Sequence, residues 1–250
     1  VTGGLGGVGA PVVDSILESG GDVVCLDLPP NPDNLTRFQT IASKHGTQLF
    51  YYSLNVTDEN QVSSVINEAV SKLRYPLRGV VTAAGISGDV DAVDYPVEKF
   101  RKIMDVNVLG TFLVVRAATR VMQKEKVAGS VVLIASISGS IANKGVNTAA
   151  YNASKSAVLQ LARSLAMEWA NSPNHPPIRV NSLSPGHIYT PLSAVSIADE
   201  QTKKTWTDMI MMGRISYPEE YRAPILFLLG DGSTFMTGAD LRVDGGHCAW

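Results

Sequence analysis

The chain has 250 residues, 45% of them hydrophobic, and a formal net charge of −2. Those values exclude a disordered or collagen-like chain and leave no basic footprint for nucleic acid or an anionic membrane surface. No run of about 18 apolar residues is present. The two cysteines, Cys25 and Cys248, form neither a disulfide framework nor a zinc-ligand pattern, so no metal site is expected. Together these features predict a soluble, cytoplasmic protein with reduced thiols and no membrane or nucleic-acid partner.

Val1-Thr2-Gly3-Gly4 reads as the last step of a strand entering a glycine loop. The front of that strand is expected to lie upstream, and any targeting segment there is invisible. Strand and helix patterns then alternate. Strands are predicted over 23–28, 48–54, 79–83, 130–135, 178–183 and 240–243. Helices are predicted over 8–19, 35–45, 59–73, 100–123, 150–169 and 219–229. Val131-Val132-Leu133-Ile134 is apolar on both faces, which suits a parallel sheet covered by helices on each side. With no linker or repeat dividing it, the chain reads as a single doubly wound α/β domain over 1–250. Ligands of such sheets bind beyond the carboxyl ends of the strands.

The loop Thr2-Gly3-Gly4-Leu5-Gly6-Gly7-Val8-Gly9 sits at the first strand–helix crossover. Gly3, Gly7 and Gly9 allow a tight turn and close backbone approach to a pyrophosphate, which the helix amino terminus can bind. Asp27 ends the next strand, where a carboxylate accepts ribose hydroxyls and repels a 2′-phosphate. The residues that follow, Pro29-Pro30-Asn31-Pro32, offer no cation. NAD(H) is therefore expected over NADP(H).

Tyr151 and Lys155 are four apart, hence on one helix face. An ammonium there lowers the phenol pKa from about 10, letting Tyr151 give or take a proton as hydride moves. Ser136, at a strand end in Ala135-Ser136-Ile137-Ser138-Gly139, can hold the substrate oxygen. Asn107 falls in a long apolar helix, where its amide needs partners, such as a water linking Lys155 to solvent.

Taken together and in order, the Thr2–Gly9 loop, Asp27, Thr82-Ala83-Ala84-Gly85, Asn107, Ser136, Tyr151/Lys155, Pro185-Gly186 and Asp244-Gly245-Gly246 resemble the short-chain dehydrogenase/reductase family over the whole chain. The resemblance implies a Rossmann-type fold and a catalytic set of Asn107, Ser136, Tyr151 and Lys155. It implies cofactor contacts from Gly3, Leu5, Gly7, Val8 and Gly9, from Asp27, and from Asn55 and Val56 beside the adenine. Ala84 and Gly85, Tyr151 and Lys155, and Pro185, Gly186, Ile188 and Thr190 around the nicotinamide complete that set. Thr82-Ala83 stands where the family usually has Asn-Asn, so a hydrogen bond supporting the sheet is expected to be lost. Asn55 replaces the usual adenine-side acid. Ser138, 13 before Tyr151, has the commoner family spacing, whereas Ser136, 15 before it, fits the Ser-x-x-Gly pattern. Ser136 is preferred and Ser138 is the runner-up.

Within the family, Ser136–Asn143, Leu161–Trp169 and Val243–Trp250 look most like fungal polyol dehydrogenases of the D-arabinitol and mannitol types. The implied reaction moves hydride between NAD(H) and a sugar alcohol/ketose pair. The alternatives are a reductase tailoring a fungal secondary metabolite and a dinucleotide-binding sensor without catalysis. Residues 187–216 lack a clear period and are expected to form a substrate lid. Ser138, Asn143, Tyr189 and Trp206 are the candidate substrate contacts, and Met209-Ile210-Met211-Met212 lines either an apolar pocket or a buried lid helix. The resemblance also implies a homotetramer or dimer, through helices near 100–123 and 150–169.

Overall fold

A computed structural model describes residues 1–30, 32–33 and 35–250; Asn31, in the cation-free run after Asp27, lies outside the described residues. Strands β1 (Val23–Asp27) and β2 (Leu49–Ser53) pair in parallel, with Asp27 opposite Ser53. Strands β3 (Gly79–Thr82), β4 (Gly129–Ile134), β5 (Ile178–Pro185) and β6 (Asp240–Val243) form a second parallel run in that order. Thr2 joins the two runs: it bridges Leu26 on one side and Thr82 on the other. Its N–H donates to Val81 O at 3.0 Å, and its carbonyl accepts from Ala83 N at 3.1 Å. The sheet order is therefore β2-β1-Thr2-β3-β4-β5-β6, and the direction of travel reverses at Thr2. A crevice opens at such a reversal, beyond the strand ends.

The helices are α1 (Gly9–Glu18), α2 (Leu35–His45), α3 (Glu59–Ser71), α4 (Val97–Met104), α5 (Thr111–Lys124), α6 (Ala149–Trp169), α7 (Ala194–Ala198), α8 (Glu200–Asp208) and α9 (Arg222–Leu229). Alternating side chains of β4 serve both faces of the sheet. Val131 and Leu133 join Ile66 of α3, Val115 of α5 and Val158 of α6 in one core. Val132 and Ile134 join Val12 of α1 and Ile225 and Leu228 of α9 in the other. Burial of each such side chain contributes about 1.5–3 kcal/mol, which is why this strand is apolar throughout. A third cluster, Val13, Leu17, Cys25 and Phe38, seats α1 and α2 beside β1.

Two expectations need correction. The helix predicted over 100–123 is broken: α4 and α5 are separated by a π-helical turn at Asp105–Gly110. The apolar periodicity that announced one helix continues through the turn, so the sequence gives no warning. Residues 187–216 also contain α7 and α8. The five-residue α7 buries no side chain, and the polar α8 buries only Trp206, too little to print a helical period. The Asp199 side chain caps α8 by accepting from Thr202 N at 2.8 Å. No helix among the described residues is long and apolar enough to cross a membrane.

Candidate active site

A cleft of about 680 Å³ runs along the carboxyl ends of the strands. Its floor at one end is the glycine loop. Gly3 has φ +60°, and a Cβ there would lie 2.6 Å from Ala84 N, so the first turn is pressed against the segment after β3. Gly3, Gly7 and Val8 line the cleft, and the N–H groups of Gly7 and Val8 bond to no described protein group. Free donors at the amino end of α1 suit a diphosphate. Leu5 and Gly9 lie behind the wall. The Leu5 side chain packs on the cluster beside β1, and Gly9 opens α1.

Asp27 lines the cleft at the end of β1. Its carboxylate accepts from Leu5 N at 3.0 Å and from Leu28 N at 2.8 Å, one bond per oxygen. The group is thus fixed in direction and retains lone pairs for hydroxyl donors. Tyr51 donates to the carbonyls of Asp27 and Pro29, and Ser53 to Leu28 O, so β2 holds the following loop in place. Asn55 and Val56 also line the cleft, as do Ala84 and Gly85. Asn55 Oδ1 is taken by the N–H (3.1 Å) and hydroxyl (2.9 Å) of Thr57. The Thr82 hydroxyl is buried without a partner among the described residues, in keeping with the expected lost hydrogen bond.

At the other end, Ser136, Tyr151 and Lys155 converge on the cleft. Ser136 follows β4 and starts a single 3₁₀ turn, Ile137–Gly139. A Cβ on Gly139 would come within 2.8 Å of the Lys155 carbonyl, so this glycine lets the turn lie directly on α6. Lys155 is buried at 6% exposure, and its Nζ donates to Ile134 O at 2.7 Å. Burial pushes its pKa down to about 8. Nζ lies 5.6 Å from the centre of the half-buried Tyr151 ring. The phenol pKa is raised, chiefly by burial, with a Ser136 hydrogen bond pulling the other way. That direction is opposite to the lowering expected from Lys155, and its cause is the loss of water around the phenol.

Asn107 does not line the cleft. It lies on the π-helical turn, 1% exposed, with its amide bonded through both nitrogen and oxygen. Nδ2 donates to Ile86 O and to Ser154 Oγ, and Oδ1 accepts from Ile86 N, all at 2.9 Å. The side chain thus ties the turn to the loop after β3 and to α6.

Pro185, Gly186, Ile188 and Thr190 line the cleft on the β5 side. Ile188 pairs with Ser216 and fixes both ends of the 187–216 segment. That pairing turns Tyr189 outward, where it stacks on Tyr217 at 5.2 Å; it is not in the cleft, which corrects the substrate contact assigned to it. Ser138, Asn143 and Trp206 do line the cleft. Trp206 stacks on His187 (3.8 Å between centres, 9° between planes) and donates to Lys144 O at 3.0 Å. Burial, with His247 nearby, pushes His187 down to about 3, so its imidazole is neutral. Met209–Met212 do not line the cleft: Ile210 is buried, and Met212 N donates to Gly245 O, so the run packs on the carboxyl-terminal glycines.

The sequence does not point to Ser87, Lys102, Val146 and Thr148 as cleft residues. They come from three separate segments that meet along the loop path after β3. Only Thr148, a hydroxyl residue immediately before α6, carried a local signal.

A family model described as "Enoyl-(Acyl carrier protein) reductase" matches residues 3–247. "Short chain dehydrogenases/reductase notP'" of Aspergillus versicolor is 52% identical over 252 residues, covering 100% of this chain and 86% of that protein. D-arabinitol 2-dehydrogenase [ribulose-forming] of Candida tropicalis is 37% identical, covering 100% and 92%. The crystal structure of NADPH-dependent 3-quinuclidinone reductase from Rhodotorula rubra superposes with a TM-score of 0.87 at 34% identity, covering 100% and 90%. The chain belongs to the short-chain dehydrogenase/reductase family, NAD(P)-dependent enzymes acting on alcohols and ketones.

Proposed function

We propose that this chain is an NAD-dependent dehydrogenase of a sugar alcohol/ketose pair such as D-arabinitol/D-ribulose, working as one domain that carries both cofactor and substrate sites. The observation that carries the reading is the convergence of Ser136, Tyr151 and Lys155 at one end of the cleft whose other end holds Asp27. Bound nicotinamide supplies the hydride acceptor or donor. Tyr151 takes the proton of the alcohol, or gives one to the ketone. Ser136 holds the substrate oxygen against the phenol. Lys155 holds the ribose of the nicotinamide half and, when charged, favours the phenolate. Asn107 positions the loop after β3. Asp27, with each oxygen already directed by a backbone N–H, supports NAD over NADP, because a 2′-phosphate beside it meets a fixed negative charge.

The polyol assignment draws on the resemblance to D-arabinitol 2-dehydrogenase and on the polar wall beside Tyr151, where Ser138, Asn143, Thr148 and His187 offer hydroxyl, amide and imidazole groups. A second reading draws on Val146, Leu192 and Trp206 in the same cleft, which suit a bulkier and more apolar ketone. On that reading the enzyme tailors a secondary metabolite. In either case both partners are small molecules, and a dimer or tetramer of this chain would cover the exposed Phe100, Leu109 and Met167 on and beside α4–α6. A cytoplasmic location follows the composition argument.

The test is a screen of pentitols, hexitols and their ketoses, read by NADH absorbance. NAD-linked turnover of a pentitol is expected. Turnover of none of them, alongside tight NADH binding, would overturn the polyol reading in favour of the second.

A further inference from the structure

A continuous line of side-chain hydrogen bonds leads from Ser136 to the helix that carries Tyr151. Ser136 Oγ lies 3.1 Å from Ser138 Oγ, and Ser138 Oγ lies 3.0 Å from Asn143 Oδ1. Asn143 Nδ2 is 3.0 Å from Thr148 Oγ1, and Thr148 Oγ1 is 2.7 Å from Asn152 Oδ1. Asn152 Nδ2 ends the line on Ile141 O at 2.8 Å. Asn152 follows Tyr151 directly on α6.

The far end fixes the direction of every proton. A backbone carbonyl only accepts, so it is the Asn152 amide nitrogen that faces Ile141. Asn152 Oδ1 then accepts the single Thr148 proton. Thr148 is left to accept from Asn143 Nδ2, which turns Asn143 Oδ1 toward Ser138. Ser138 gives its proton to that oxygen, so toward Ser136 it can only accept, and it holds the Ser136 proton until a substrate oxygen takes over that bond. Ser136 also accepts from Ser138 N at 3.1 Å. The rotor of Ser136, the hydroxyl nearest Tyr151, is therefore set by two amides and a threonine outside the reacting set. Both Ser136 and Ser138 are buried, at 7% and 5% exposure, so little water competes for these bonds.

We propose that Ser138, Asn143, Thr148 and Asn152 form a positioning relay, with Asn143 as its hub, that orients the Ser136 hydroxyl for catalysis. The proposal rests on the assignment of Ser136 above. It also gives both serines of the Ser-x-Ser run a place: Ser136 meets the substrate oxygen and Ser138 steers Ser136. The lid joins beside the hub, since Trp206 donates to Lys144 O, the residue after Asn143. Lid position and Ser136 orientation therefore share one short loop.

The test is a double-mutant cycle between Thr148 and Ser136, with turnover of the best alcohol found by the screen and NADH affinity by fluorescence. Thr148→Val is nearly isosteric and removes the link through the hydroxyl, leaving only the long 3.5 Å approach of Asn143 Nδ2 to Asn152 Oδ1; Thr148→Ser restores it. The relay predicts that T148V lowers kcat about tenfold with NADH Kd unchanged, that T148S recovers most of the loss, and that T148V has no further effect in a Ser136→Ala background. Asn143→Leu, which breaks the hub, should match T148V and serves if that variant folds poorly. Equal losses from T148V with and without Ser136, or no loss at all while S136A is impaired, would overturn the relay and leave the Ser136 assignment standing. An S136A enzyme as active as the parent would overturn that assignment and the relay with it.

Discussion

The two ends of the cleft are built differently. At the nucleotide end the recognising atoms are backbone N–H groups of a loop pressed into place by Gly3, plus one carboxylate aimed by two further N–H groups. At the substrate end they are side chains from the turn after β4, the 140–148 loop and the lid, held by hydrogen bonds to one another. Backbone recognition is tied to strand ends and resists single substitutions outside its glycines. Side-chain recognition can be retuned one residue at a time. The division suits a family that keeps a nicotinamide dinucleotide and varies its alcohols and ketones.

The contrast can be broken or sharpened in order of effect. Outside Tyr151 itself, Lys155→Met should be the most severe, lowering kcat by about 10³-fold by the size expected when a transition-state charge partner is removed, with kcat/KM measured at fixed NAD. The same variant should be more stable than the parent. Burial holds Lys155 near 8 against an ordinary 10.5, so the unfolded chain binds the extra proton between those values and parent stability rises with pH across that window. Below pH 8 the whole penalty is present, on the order of 3 kcal/mol before the lost bond to Ile134 is set against it. Denaturant melts of parent and K155M should therefore differ most at pH 7 and converge towards pH 10.5.

Asp27→Ser should come next. Removing the fixed carboxylate should raise the NADP/NAD ratio of kcat/KM by about 10²-fold, with the alcohol KM little changed, since the two ends share no side chain. A change confined to the alcohol KM would deny that separation. Trp206→Phe keeps an aromatic on His187 and removes the indole donor to Lys144 O, so it should raise the alcohol KM by about five-fold and leave NADH Kd unchanged.

The same contrast explains what the sequence made legible. Strands β1–β6 and the nucleotide loop were readable because apolar runs, glycine and an acid at a strand end each answer a local demand. Ser136, Tyr151 and Lys155 were readable because Gly139 ties the turn to α6 and because four residues make one helical turn. At the substrate end the sequence pointed to Ser138, Asn143 and Trp206, which line the cleft, and to Tyr189, which does not. Tyr189 was misplaced because only the pairing of Ile188 with Ser216, distant in sequence, decides which way it faces. The helix α8 was missed because a single buried tryptophan prints no period, and the π-turn around Asn107 because apolar spacing passes through it unbroken. The stacking of His187 on Trp206 joins two segments distant in sequence and carries no local signal.

The most direct measurement is single-turnover hydride transfer in Tyr151→Phe, followed by NADH absorbance beside NADH affinity by fluorescence. If Tyr151 carries the proton, NADH should bind as in the parent while transfer falls by about 10³-fold or more. Parent-like transfer in Y151F, with cofactor bound equally well, would contradict the proposed chemistry at its centre.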